Sequence, residues 1–102
     1  MRVITRKALE QFWVGRPDAE SPLRFWLATT YRGVWRNSAD VKKTLGQTDT
    51  AKVKSGQTVH VFDVGGNKYR LIARISFKKQ TIYALRVLTH KEYDTNRWKS
   101  EL

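Results

Sequence analysis

Residues 68–77, KYRLIARISF, alternate in a way that fits a strand with one buried face. The odd positions are Tyr69, Leu71, Ala73, Ile75 and Phe77, while Lys68, Arg70 and Arg74 fall on even ones. Successive side chains of a strand point to opposite faces, so the odd set belongs to a core and the arginines to the far side. Residues 59–64, VHVFDV, read as a preceding strand, and GGN at 65–67 supplies a turn tolerant of positive φ. KKQ at 78–80 marks another turn, and TIYALRVLTH at 81–90 gives a third strand. Two consecutive hairpins make an antiparallel meander.

The same period applied to 81–90 sends Tyr83, Leu85 and Val87 to the core. Ile82, Ala84, Arg86, Leu88 and His90 go to the other face. Arg70, Arg74, Arg86 and His90 then share one side of the sheet. If the turn is Lys79, Gln80 and Thr81, Arg74 opposes Arg86 and Arg70 opposes His90. If it is Lys78, Lys79 and Gln80, those pairs become diagonal neighbours, and the sequence leaves both registers open. In either one, three arginines crowd one face with no carboxylate on the same two strands. Like charges opposed across strands are destabilising, and a chain that keeps them is equipped to hold an anion. The planar fork of arginine suits phosphate. Ordinary solvated arginines on an open sheet face fit the pattern equally well.

The first half reads as helical. RVIT at 2–5 is a short first strand, with Thr5 as N-cap of a helix whose Ala8, Leu9, Phe12 and Trp13 share one face. Gly15 and Pro17 end it. Ser21 caps a second helix with Pro22 at its first position, and Leu23, Trp26, Leu27, Tyr31, Val34 and Trp35 form its apolar stripe. A short third helix runs from Ser38 through Val41 and Leu45 to Gly46. Residues 47–58 are polar and aperiodic, a loop with at most a strand fragment near Val53. Helices segregated from an antiparallel sheet define the α+β class, in the order β-α-α-(α)-β-β-β, as one domain over 1–102.

Twenty Lys and Arg face nine Asp and Glu, a formal net charge of +11 and a sequence pI of about 10.4. Such a field steers a protein toward polyanions. There is no cysteine, which excludes disulfides and thiolate zinc sites, and only two histidines, His60 and His90, so no His-rich metal site either. No segment has the apolar run of a signal peptide or the ~20 apolar residues of a membrane span. The expectation is a soluble cytoplasmic protein that does not engage membranes.

The acidic residues are scattered, with only Glu92 and Asp94 close together, so the carboxylate cage of a metal-dependent nuclease is not evident. VGGNK lacks the length of a nucleotide-binding glycine loop. Metal-free RNA cleavage remains: the 2′-hydroxyl attacks the adjacent phosphorus, and the protein supplies proton transfer and positive charge. DNA lacks that hydroxyl. Arg70, Arg74, His90 and Tyr93 are a minimal kit for this, although non-catalytic RNA binding needs the same arginines. His60 has only a structural reading.

FDVGGNKYRLIARISF followed by VLTHKEYD resembles the HigB family of bacterial toxins, within the wider RelE-like group. The likeness covers nearly the whole chain, including MRVITRKALEQFW, the proline-led second helix and SADVKKTL. It implies a RelE-like fold, with the N-terminal helices packed on one face of a small antiparallel sheet. It also implies the toxin of a type II toxin–antitoxin system that cuts mRNA on the ribosome, without metal or cofactor. The partners implied are mRNA, the ribosome and a HigA-type helix-turn-helix antitoxin, with operator DNA reached only through the complex. Carried over by that likeness, Arg70, in GGNKYR, and His90 and Tyr93, in THKEYD, would be the catalytic positions. Arg70 would hold phosphate, His90 act as general acid or base, and Tyr93 stack on a base or move a proton. Arg74 and Arg86 rest on the shared face instead, and Lys52, Lys54 and Lys91 would touch RNA or ribosome backbone. The alternative is an RNA- or ribosome-binding translation inhibitor that does not cut.

Overall fold

A computed structural model describes all residues, 1–102. The strands are β1 (Arg2–Ile4), β2 (Thr48–Lys52), β3 (Thr58–Val64), β4 (Tyr69–Ser76) and β5 (Thr81–Thr89). They form one sheet in the order β1-β5-β4-β3-β2. The pairs β2–β3, β3–β4 and β4–β5 are antiparallel, but β1 runs parallel to β5, so the sheet is mixed rather than wholly antiparallel. β2 comes from the stretch expected to be a loop. As an edge strand, TDTAK buries only Thr48 fully and Ala51 partly, so it carries no apolar period.

The helices are α1 (Arg6–Gly15), α2 (Glu20–Arg32), α3 (Ser38–Thr44), α4 (His90–Asp94) and α5 (Arg97–Glu101), with a 3-10 turn at Pro17–Ala19. Thr5 precedes α1 as expected but does not cap it. It sits in the left-handed region at φ 66°, and its hydroxyl donates to the Ala84 carbonyl at 2.7 Å, tying the chain to β5. α2 starts ahead of Ser21 because the 3-10 turn runs straight into it. It ends at Arg32, where Gly33 turns extended. Val34 and Trp35 therefore leave the helical stripe. Trp35 is buried, whereas Tyr31 and Val34 are exposed. Asn37, not Ser38, caps α3, its Oδ1 accepting from the Asp40 N–H at 3.0 Å.

α1, α2 and α3 cover one face of the sheet. Leu9, Trp13, Leu23, Trp26 and Val41 pack against Phe62, Leu71, Ala73, Ile82 and Ala84. The β4–β5 hairpin departs from both expected registers. Its turn is the four residues 77–80, and Ile75 pairs with Ile82, Arg74 with Tyr83, and Ala73 with Ala84. Beyond Ala73 the register slips by one, so Ile72 pairs with Arg86 and Arg70 with Leu88. The extra residue, Leu85, makes a β-bulge. Ile82 and Ala84 therefore face the helices, Tyr83 and Leu85 do not, and Val87 returns to the core side. Arg74 opposes Tyr83 rather than Arg86, and His90 opposes no strand residue, because it begins α4.

The second face is not open. Val53, Val59, Val61, Ile72 and Trp98 form a smaller apolar cluster there, with Leu85, Leu88 and Tyr93 at its margin. α5 delivers Trp98, and the Lys54 N–H donates to the Lys99 carbonyl at 2.9 Å, holding the C-terminal helix over the end of β2.

Candidate functional site

The site lies where β5 passes into α4, beside the start of β4. Thr89 ends the strand and caps the helix. Its hydroxyl accepts from the Glu92 N–H at 3.2 Å, and the Glu92 carboxylate accepts from the Thr89 N–H at 2.9 Å. This reciprocal pair satisfies backbone donors that a helix start leaves free. The His90 N–H donates to the Lys68 carbonyl at 3.0 Å, fastening the helix to the entry of β4.

Helical spacing then sets the chemistry. His90 and Asp94 are one turn apart, and Nδ1 of His90 lies 2.8 Å from a carboxylate oxygen of Asp94. Both side chains are about half exposed, at 49% and 59%. A carboxylate on Nδ1 fixes the tautomer and leaves Nε2 free to exchange a proton. Tyr93 turns inward. Its ring stacks on Trp98 at 5.4 Å and 17°, and the Arg70 guanidinium lies 5.4 Å from the ring centroid. Burial raises the Tyr93 phenol above its ordinary pKa; Arg70 opposes that rise, and Asp49, Asp63 and Asp94 add to it. The Tyr93 phenol therefore holds its proton more tightly than an ordinary tyrosine.

Arg70 is not an unpaired cation. Its cross-strand partner is Asp63, and the guanidinium Nε lies 3.0 Å from that carboxylate, the two side chains being only 12% and 23% exposed. Nη1 also donates to the Tyr69 carbonyl. The carboxylate absent from β4 and β5 thus comes from β3.

Arg70, His90 and Tyr93 are brought to one rim of the sheet. Arg74 is four residues along β4, roughly 13 Å away at strand rise, where it donates to the Gln57 side chain at 3.0 Å and covers the Tyr83 ring. Arg86 is exposed, opposite Ile72, and diagonal to both arginines of β4. Lys52 and Lys54 are exposed around the end of β2, and Lys91 is exposed on α4. His60 is buried on the helix side of the sheet, its Nε2 2.9 Å from the Ser38 hydroxyl, with Nδ1 unpartnered.

Sequence reasoning missed Asp63, Asp94 and Trp98. A signal for Asp94 was present: Thr89 and Glu92 form a T-x-x-E capping pattern, and a helix starting there places His90 and Asp94 at i, i+4. Asp63 is recoverable only from the β3–β4 register.

A small α+β chain with a basic sheet face and this rim is of the RelE-like toxic type, and comparison with known proteins bears that out. The description of the HigB toxins, the RelE-like toxic component of a toxin–antitoxin system, matches residues 19–96. The chain is 33% identical over 94 residues to the mRNA interferase toxin HigB of Escherichia coli K12, covering 92% of this chain and 88% of that one. The same figures hold for the mRNA interferase HigB of Shigella flexneri. The chain belongs to the HigB toxin family.

Proposed function

We propose that this chain is an mRNA endoribonuclease that cuts messages during translation on the ribosome, needs no metal, and is held in check by a HigA-type helix-turn-helix antitoxin. The carrying observation is the rim itself: an imidazole oriented by Asp94, a neutral phenol and a guanidinium within one short helix and one strand. In this reading His90 Nε2 takes the proton of the RNA 2′-hydroxyl as that oxygen attacks phosphorus. Tyr93 gives its proton to the departing 5′-oxygen, and Arg70 stabilises the phosphorane charge. The products are a 2′,3′-cyclic phosphate and a 5′-hydroxyl. The +11 charge draws the chain to RNA, and operator DNA is reached through the antitoxin complex.

Primer extension on a reporter mRNA after induction in bacteria tests this. New 5′ ends are expected in the translated message and not in a copy lacking its start codon. His90→Ala should reduce them by about 10²–10⁴-fold, the usual contribution of a positioned acid or base. In a reconstituted translation reaction, a single 2′-deoxy nucleotide before the cut should block cleavage. Growth arrest by His90→Ala with the message intact would instead support a non-catalytic translation inhibitor.

A further inference from the structure

On the helix side, away from the rim, β1, α1 and α2 enclose a groove of about 580 Å³. Four arginines line it: Arg2, Arg6, Arg24 and Arg32. Its floor is aliphatic, made by Val3 and Leu27, and Tyr31, a residue 74% exposed, lines it as well. No carboxylate lines the groove. Arg6 and Arg24 are paired along their own helices with Glu10 and Glu20, at 3.3 and 2.7 Å. Arg2 and Arg32 have no ion-pair partner.

We propose that this groove is the docking site for an acidic, amphipathic segment of the antitoxin, which is bound without covering the rim at α4. The proposal rests on the toxin–antitoxin reading above. The shape of the charge selects the occupant. A phosphate backbone would satisfy the arginines but leave the aliphatic floor and Tyr31 facing water. A peptide with one apolar and one acidic edge matches both: its apolar side chains cover Val3, Leu27 and Tyr31, while its carboxylates meet Arg2 and Arg32. Exposed apolar surface rimmed by charge marks such interfaces, and complementary charge sets register and rejects wrong partners. None of the groove's residues belongs to the rim of Arg70, His90 and Tyr93.

The test is calorimetric titration of purified cognate antitoxin into the full chain and into an Arg2→Glu/Arg32→Glu double variant. Circular dichroism would confirm that the variant is folded. Affinity should fall at least about tenfold, while the Arg2→Lys/Arg32→Lys variant stays close to wild type. The glutamate variant, expressed without antitoxin, should still arrest growth, and co-expressed antitoxin should no longer protect. Unchanged antitoxin affinity would overturn the proposal. So would unchanged affinity together with lost co-sedimentation on ribosomes, which would assign the groove to RNA. A wild-type chain that binds antitoxin but leaves mRNA intact would fail the nuclease reading alone, because the titration does not depend on cleavage.

Discussion

Arg70 enters the site with a carboxylate already attached. In the proposed mechanism an incoming phosphate would share the guanidinium with Asp63, and what Asp63 secures is position: a cation fixed over the Tyr93 ring rather than swinging in solvent. An exposed arginine would bind polyanions more readily and aim less well. His60 is a different kind of residue, because desolvation alone lowers its pKa, although Lys42 and Asp49 line the same small cleft. The folded state then binds fewer protons than the unfolded one between the lowered pKa and the ordinary value of 6.5. Stability therefore rises with pH across that window, and is lost as pH falls below about 6.5. Unfolding by denaturant at pH 7.5 and 5.5 should show a larger loss in the wild type than in His60→Gln. Parallel losses would mean that His60 is not the group responsible.

At the scale of elements, α4 carries two of the three residues of the proposed mechanism, His90 and Tyr93, and has little to hold it. Five residues are too few to be helical alone, so it depends on the Thr89–Glu92 cap, the Lys68 carbonyl and Trp98. Thr89→Ala should cost about 1 kcal/mol of stability, as capping losses do. Cleavage should fall much further than that under conditions where the protein remains folded, because His90 and Tyr93 are aimed by this helix. Thr89→Ser should restore both. A loss of stability without loss of cleavage would show that the helix is aimed by its other contacts. Such elements are also where sequence and structure parted. The alternation of 68–77 located β4 and its faces because large apolar and cationic residues take strict turns. In 81–90 it failed, because Ile82, Tyr83, Ala84 and Leu85 are all apolar and suit either face, so nothing announced the bulge at Leu85. β2 was hidden for the opposite reason, being an edge strand with almost nothing to bury. The juxtaposition of GGNKYR and THKEYD at one end of the sheet was legible, and so was Asp94 from the helical spacing after Thr89, but Asp63 was not, since it reaches Arg70 only through pairing between strands.

The whole molecule divides its positive charge between two surfaces, and salt dependence distinguishes them. On the rim side, Arg74, Arg86, Lys52, Lys54 and Lys91 extend the field outward from Arg70 along the sheet face, its β2 edge and α4. On the helix side, Arg2 and Arg32 line the groove assigned to a peptide. Counterion release makes the logarithm of RNA affinity fall linearly with the logarithm of salt concentration, by about 0.7 for each single-strand phosphate neutralised. With His90→Ala to keep the RNA uncut, a background carrying Lys52→Gln, Lys54→Gln and Lys91→Gln should flatten that slope by about 2 if all three touch phosphate. The Arg2→Glu/Arg32→Glu pair should shift the salt dependence of antitoxin binding instead and leave the RNA slope nearly unchanged. If the groove variant flattened the RNA slope and the lysine variant did not, the two surfaces would have to exchange roles. RNA would then lie on the helical side, and the rim would be left without a substrate path.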